Sequence, residues 1–228
     1  LIVRIHQPGI EVEQIRRGDG SMEFCQEFFD DVVIPASDVV GEVDDGWTVA
    51  TRLLVHERNA VGGGSPYTSG RSQGHDSTEE DILAELIRST GRATDTHARQ
   101  LVAEAHIRQV VGGQLIRRVT QGVGTGQMAP PAGSLLKLFS ATNVMRRYEI
   151  ALQLAGDGAV VWPVDSDGIA RRLGEFTLWR QGLSLGGGSN EIQRNIISER
   201  LLGMPREFAA DREVPYRDVR RGAPSSSS

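Results

Sequence analysis

The sequence predicts a mainly α-helical protein, a cluster of antiparallel helices preceded by a short β segment. Three observations point there. Residues 1 to about 42 alternate short β-prone runs with turn residues. From about residue 43 onward the chain carries long stretches of helical period. Its 228 residues are 39% hydrophobic, enough for a packed core, and each amphipathic stripe needs another helix to cover it.

The β-prone runs are "LIVRI", "IEVEQI", "MEFCQEFF" and "DVVIP", separated by "QPG", "RGDGS" and "PASD", an antiparallel pattern. The opening "LIVRIH" has no initiating Met and starts as if in mid-strand, so the chain is expected to be a piece of something longer. After "GEVDDG" the period predicts helices over 47–61, 79–121, 134–155 and 190–202, the second broken around "STGRATD". "GGGSPYTSGRSQGHDS" reads as a flexible surface loop, "QGVGTGQMAPPAGS" as a second break and "RRGAPSSSS" as a disordered tail. No internal repeat is present. The expected organisation is a β segment over 1–42, a helical domain over 43–208 and a tail over 209–228.

A net charge of −5 with interspersed signs, and no basic patch spaced with aromatics, gives no footprint for nucleic acid. Nearly all the positive charge is Arg, with Lys137 the one lysine. The lone Cys25 excludes an internal disulfide and a cysteine-based metal site, and a cytoplasmic setting is the expectation. No apolar run approaches the roughly 20 residues of a membrane span, and the first residues given do not read as a charged leader followed by an apolar stretch. No metal and no membrane partner are expected.

In "WTVATRLLVHERNAVGGGS" the apolar stripe steps from Trp47 through Ala50 and Leu54 to Val61, but one step lands on Glu57. Its helical neighbours are Leu53, Leu54, Ala60 and Val61, so no cation on its own helix faces it. A buried carboxylate without a local partner has a raised pKa and makes a better proton acceptor, which is what a general base needs. An ion pair with an Arg of another helix is the other reading.

"LSLGGGSNEIQRNIISERLLGMPRE" places Gly186, Gly187 and Gly188 before a helix that Ser189 or Asn190 can cap, with Ile192, Ile196, Ile197 and Leu201 as its apolar positions. Such a turn presents free N–H groups to an anion or a carbonyl oxygen. It is neither a Walker A loop nor a dinucleotide-binding fingerprint, and a plain loop and cap remains the other reading.

This stretch closely resembles the C-terminal signature of the acyl-CoA dehydrogenases. "GSMEFCQEFFDDVVIPASDVVGEVDDGW" resembles the family's passage from its middle β-barrel into the C-terminal helical domain, and "GWTVATRLLVHER" the first helix of that domain. The resemblance spans most of residues 1–207, strong at both ends and poor between about 64 and 130. It implies a C-terminal antiparallel four-helix bundle preceded by the end of a middle β-barrel, FAD held between the two, and a homo- or hetero-tetramer whose neighbouring subunit touches the cofactor.

The implied reaction is α,β-desaturation of an acyl-CoA thioester to a trans-2-enoyl-CoA, with electrons passed to an electron-transfer flavoprotein. One branch of the family carries its base just before the last signature, a position that falls on Gly187 here. Another carries it on the first helix of the domain, in a segment that matches "HER" and falls on Glu57. By resemblance the Gly187 N–H holds the thioester oxygen, Arg58 and Gly186 lie at the substrate, and Gly156, Gly158, Ser189, Asn190 and Glu191 match cofactor positions. His56 beside the base, and Trp47, Trp162 and Trp179, are read as packing or subunit contacts.

Two family motifs are altered. The "RxxFG" segment has no match in "STGRATDTHARQ", and "QxxGGxG" becomes "LQLAGDG", with Leu152 at the Gln position. These departures resemble bacterial members built from two related chains, some acting on steroid side-chain CoA thioesters. The alternative expectation is therefore a non-catalytic partner subunit of a heteromeric enzyme, and a further one an isolated helical interaction module. Acyl chain length is not legible, although the glycine-rich turn suggests room for branched or bulky groups.

Overall fold

The computed structural model describes residues 1–22, 24–59, 76–159, 161, 168–211 and 214–219. Over these residues it is mainly helical with one small sheet. Two antiparallel strands, β1 (Ile10–Ile15) and β2 (Phe24–Phe29), pair in the register Ile10 with Phe29 and Ile15 with Phe24. The expected runs at "LIVRI" and "DVVIP" form no strand. The first is tied to the chain by one backbone bond, Ile2 N–H to Asp38 O at 2.8 Å, and the second leads through Pro35 into a 3-10 turn at Ala36–Asp38. A ladder needs repeated pairing on one edge, and neither run has it.

Among the described residues six helices follow: α1 (Gly46–Asn59), α2 (Asp76–Ser89), α3 (Thr96–Gly124), α4 (Gly133–Ala155), α5 (Ile169–Leu183) and α6 (Asn190–Ile196). The expected break at "STGRATD" separates α2 from α3. Gly91 adopts φ +68°, and the Asp95 carboxylate caps α3 by accepting from the amides of His97 at 2.8 Å and Ala98 at 3.3 Å. The Pro130–Ala132 turn realises the second break. The expected helix over 190–202 is α6 followed by a π turn at Ile197–Leu201. Helix α5 was not expected. Gly168, Gly174 and Gly182 dilute a stripe that nevertheless runs from Ile169 through Leu173 and Phe176 to Leu183.

Helix α4 is the hub. It packs against α2, α3, α5 and α6, and its Tyr148, Ile150, Ala151 and Leu154 are almost fully buried. Leu83 and Leu86 of α2, Leu101 and Ala105 of α3, and Leu173 of α5 close around them. A helix apolar on most of its circumference is stable only when surrounded, which is the place α4 occupies. The Tyr148 ring stacks on Phe176 with centroids 5.6 Å apart. On the rim, Arg146 of α4 reaches Glu104 of α3 at 2.8 Å, while Arg92 donates to the carbonyl of Gln153 at 3.0 Å.

Helix α1 departs from expectation. Trp47 is 80% exposed and Leu54 47%, and Ala50 is exposed as well, so within this chain the stripe that carries Glu57 is not a buried face. Trp47 fills no core. Trp179 is half-buried against the Phe176 ring, while Val61, Trp162, the loop beyond residue 60 and the last nine residues lie outside the described residues. Part of the expected tail, Tyr216–Asp218, forms a 3-10 turn.

Candidate functional site

Helix α5 ends at Leu183, and the chain turns through backbone bonds from Gly186 N–H to Gly182 O at 2.8 Å and from Asn190 N–H to Ser184 O at 3.0 Å. Gly187 and Gly188 then take φ +68° and +92°, a region that costs a residue with a Cβ roughly 1–2 kcal/mol. Two side chains hold this turn. Lys137 of α4 donates through Nζ to the Leu183 carbonyl, and its Cε would lie 3.6 Å from a Cβ at Gly187. Gln193 of α6, only 4% exposed, donates through Nε2 to the carbonyls of Gly187 and Gly188, each at 3.2 Å. Burial pushes the Lys137 ammonium below its ordinary range.

Among the described residues the amides of Gly187 and Gly188 meet no acceptor. They sit just ahead of α6, where Ser189 is the N-cap and its hydroxyl oxygen accepts from the Ile192 amide at 3.4 Å. The carboxylate of Glu191 is held below its usual range by its own backbone amide and then by the Ser189 hydroxyl, and it pairs with Arg194 at 3.5 Å. Among the described residues Asn190 Oδ1 is a buried acceptor without a donor. The turn therefore offers neutral N–H donors beside a buried acceptor, with a partly buried cation behind it, an arrangement suited to a polarised carbonyl or an anionic oxygen.

Gly186, Gly187, Ser189, Asn190 and Glu191 are thus brought together. Gly156 and Gly158 are not. Gly156 takes φ +57° as the C-cap of α4, and Gly158 lies in the 3-10 turn that follows. Lys137 and Gly156 stand 19 positions apart on the same helix, which separates the two glycine sets by about 28 Å. Glu57 lies in the last turn of α1, but its side chain and that of Arg58 lie outside the described residues; His56 is exposed.

Sequence reasoning missed the two side chains that shape the turn. Gln193 occupies the inward position of α6 while Ile192, expected on the apolar face, is 50% exposed. A polar residue facing inward breaks the periodicity used to find buried positions, and only the unusual glycine content beside it hints at a clamp. Lys137 carried a signal in being the one lysine of the sequence, flanked by Leu136 and Leu138.

A larger recess of about 350 Å³ lies elsewhere, between the β1–β2 connection and α5, lined by Arg16, Arg17, Asp19, Arg171, Glu175 and Trp179. Its charges are largely matched already: Arg17 with Asp19 at 3.1 Å and Arg171 with Glu175 at 2.8 Å.

The chain belongs to the acyl-CoA dehydrogenase family: residues 44–202 match its C-terminal domain. Among its relatives, acyl-CoA dehydrogenase IpdE1 of Mycobacterium tuberculosis is 33% identical over 207 residues, covering 91% of this chain and 51% of the relative. The chain thus spans about half the length of the IpdE1 relatives it matches. Two solved structures share the fold. One is the Tcur3481-Tcur3483 steroid ACAD, with a TM-score of 0.70 at 22% identity, covering 88% of this chain and 50% of that one. The other is the ChsE4-ChsE5 complex from Mycobacterium tuberculosis, with a TM-score of 0.64 at 22% identity and the same coverage. No helix among the described residues is long and apolar enough to cross a membrane.

Proposed function

We propose that this chain forms part of an FAD-dependent acyl-CoA dehydrogenase, desaturating an acyl-CoA thioester to a trans-2-enoyl-CoA. Residues 1–42 are the end of a middle β-barrel, 43–208 a helical domain built as a four-helix bundle, and 209–228 a tail. The observation that carries the reading is the left-handed glycine turn with its unengaged amides of Gly187 and Gly188 ahead of α6. A thioester α-proton is a weak acid, so the enolate oxygen needs donors fixed before the reaction begins. The Gly187 amide is such a donor, with Gly186 beside it at the substrate. Glu57 removes the α-proton and Arg58 steers the CoA. Excluding water around both strengthens each effect.

The residues present fit the cofactor. The orphaned Asn190 Oδ1 needs a donor, which a hydroxyl-bearing group supplies, and Ser189 and Glu191 stand beside it. When bound, FAD supplies the acceptor for the β-hydrogen, which leaves as hydride, and an electron-transfer flavoprotein takes the electrons onward. The separation of Gly156 and Gly158 from the turn fits a tetramer in which each chain serves its own cofactor at one end of α4 and its neighbour's at the other.

A non-catalytic partner subunit is the second reading. It is favoured by the exposed α1 stripe and by the fold shared with the Tcur3481-Tcur3483 steroid ACAD and the ChsE4-ChsE5 complex. The test is the purified full-length protein. Flavin absorbance at one FAD per chain, bleached by an acyl-CoA, supports the first reading. Copurification with a second dehydrogenase-like chain, at half that flavin content, supports the second; a colourless protein sinks both. A screen of straight, branched and sterol-derived thioesters assigns the acyl group.

A further inference from the structure

We propose that Gln193 is a positioning residue for the thioester carbonyl, acting through the backbone of the glycine turn. This inference rests on the reading above and extends it to a side chain that reading does not use.

Gln193 is nearly fully buried, yet its carboxamide nitrogen spends both donors on consecutive carbonyls, those of Gly187 and Gly188. In a trans peptide the C=O and N–H point to opposite sides of the chain. Holding the Gly187 carbonyl inward therefore turns the Gly188 amide outward, and holding the Gly188 carbonyl does the same for the Ser189 amide. Glycines have the widest conformational choice of any residue, so three in a row do not keep their peptide planes without an external hold. On the other side of the turn Lys137 fixes the Leu183 carbonyl, and the Gly186 amide is bonded to Gly182 O. The Gly187 amide belongs to the one peptide between the anchored Gly186 amide and the clamped Gly187 carbonyl, so fixing the planes on both sides fixes it, and Gln193 is the one side chain seen to bond the carbonyls of Gly187 and Gly188 among the described residues. A side chain at Gly188 would collide with the clamp, since its Cβ would lie 2.7 Å from Gln193 Nε2.

Infrared difference spectroscopy on the full-length protein with a carbonyl-labelled (¹³C) acyl-CoA reads this directly, because the thioester stretch falls when its oxygen accepts strong hydrogen bonds. The variants are Gln193→Met, which keeps the length and removes the donors, and Gln193→Glu, which keeps the shape and replaces the donor nitrogen with an oxygen. Both are expected to retain flavin and bind CoA thioester, to lose most of the carbonyl downshift, and to lose kcat by about tenfold to a hundredfold, KM changing much less. Should Gln193→Met not fold, Gln193→Glu decides with the same readout. A full downshift in a folded variant overturns the role of Gln193 and leaves the enzymatic reading standing. Loss of kcat in step with loss of flavin marks a merely structural residue and also overturns it. No downshift in the unaltered protein means that the thioester does not sit on this turn, and then both fail.

Discussion

Three side chains show how unevenly chemistry is written into single positions. Glu57 stood out because it interrupts an apolar stripe, Lys137 only because it is the one lysine, and Gln193 not at all, since an inward amide looks like an error in the period. The glycines themselves were legible: Gly187 and Gly188 take the positive φ that their run suggested. Gly187→Ala should cost about 1–2 kcal/mol in urea unfolding, from backbone strain alone, since its Cβ would meet Lys137 at ordinary contact distance. A loss below about 0.3 kcal/mol would mean that the left-handed turn is not kept in solution. Glu104 allows a pH prediction. The Arg146 guanidinium bonded to it holds its carboxyl at about 2 rather than the ordinary 4.5. A depressed pKa gives stability that is present above 4.5 and is lost as pH falls toward 2. The pair is about one-third exposed, so Glu104→Gln should cost about 1 kcal/mol near neutrality after solvent screening. That difference should shrink across the same acid window in paired urea titrations; a constant difference would assign it to packing.

Helices were readable where the stripe was long. Helix α3 and helix α4 fall close to their expected spans, and the break between α2 and α3 lies where Gly91 and Asp95 supply the stop and start signals. Helix α5 escaped because its glycines dilute the period, although Leu173 and Phe176 reach the core. The β runs were overread: β propensity registers half-buried surface, and only two of the four runs find a partner edge here. The burial of α4 on nearly all sides implies that it carries the stability of the cluster. Leu154→Ala, at a fully buried position, should cost about 2–5 kcal/mol. Leu53→Ala, on the exposed face of α1, should cost less than about 0.5 kcal/mol in this chain. Equal losses in thermal melts would contradict the hub role of α4.

At the scale of the whole molecule the surface is unusually apolar on one part of the chain. Phe24 is 61% exposed and Phe29 55%, on a two-stranded ribbon that is marginal by itself, and Trp47 is bare on α1. This is the portion that the domain proposal assigns to a barrel and to the helix beside it. A fragment of residues 43–208 should therefore keep the helical circular dichroism of the whole chain and melt within about 5 °C of it. Cooperative loss of helix on removing residues 1–42 would refute the division. The family was legible because its signature surrounds the glycine turn; the direction in which Glu57 points was not, because that depends on what covers α1.

The most direct measurement follows exchange of the α-hydrogens of a bound acyl-CoA in deuterated water, comparing the full-length protein with its Glu57→Gln variant by mass spectrometry. The account predicts exchange in the unaltered protein and a loss of roughly 10²–10⁴-fold in the variant at unchanged flavin content. Equal exchange in the two would remove Glu57 from the reaction and leave the glycine turn without its base.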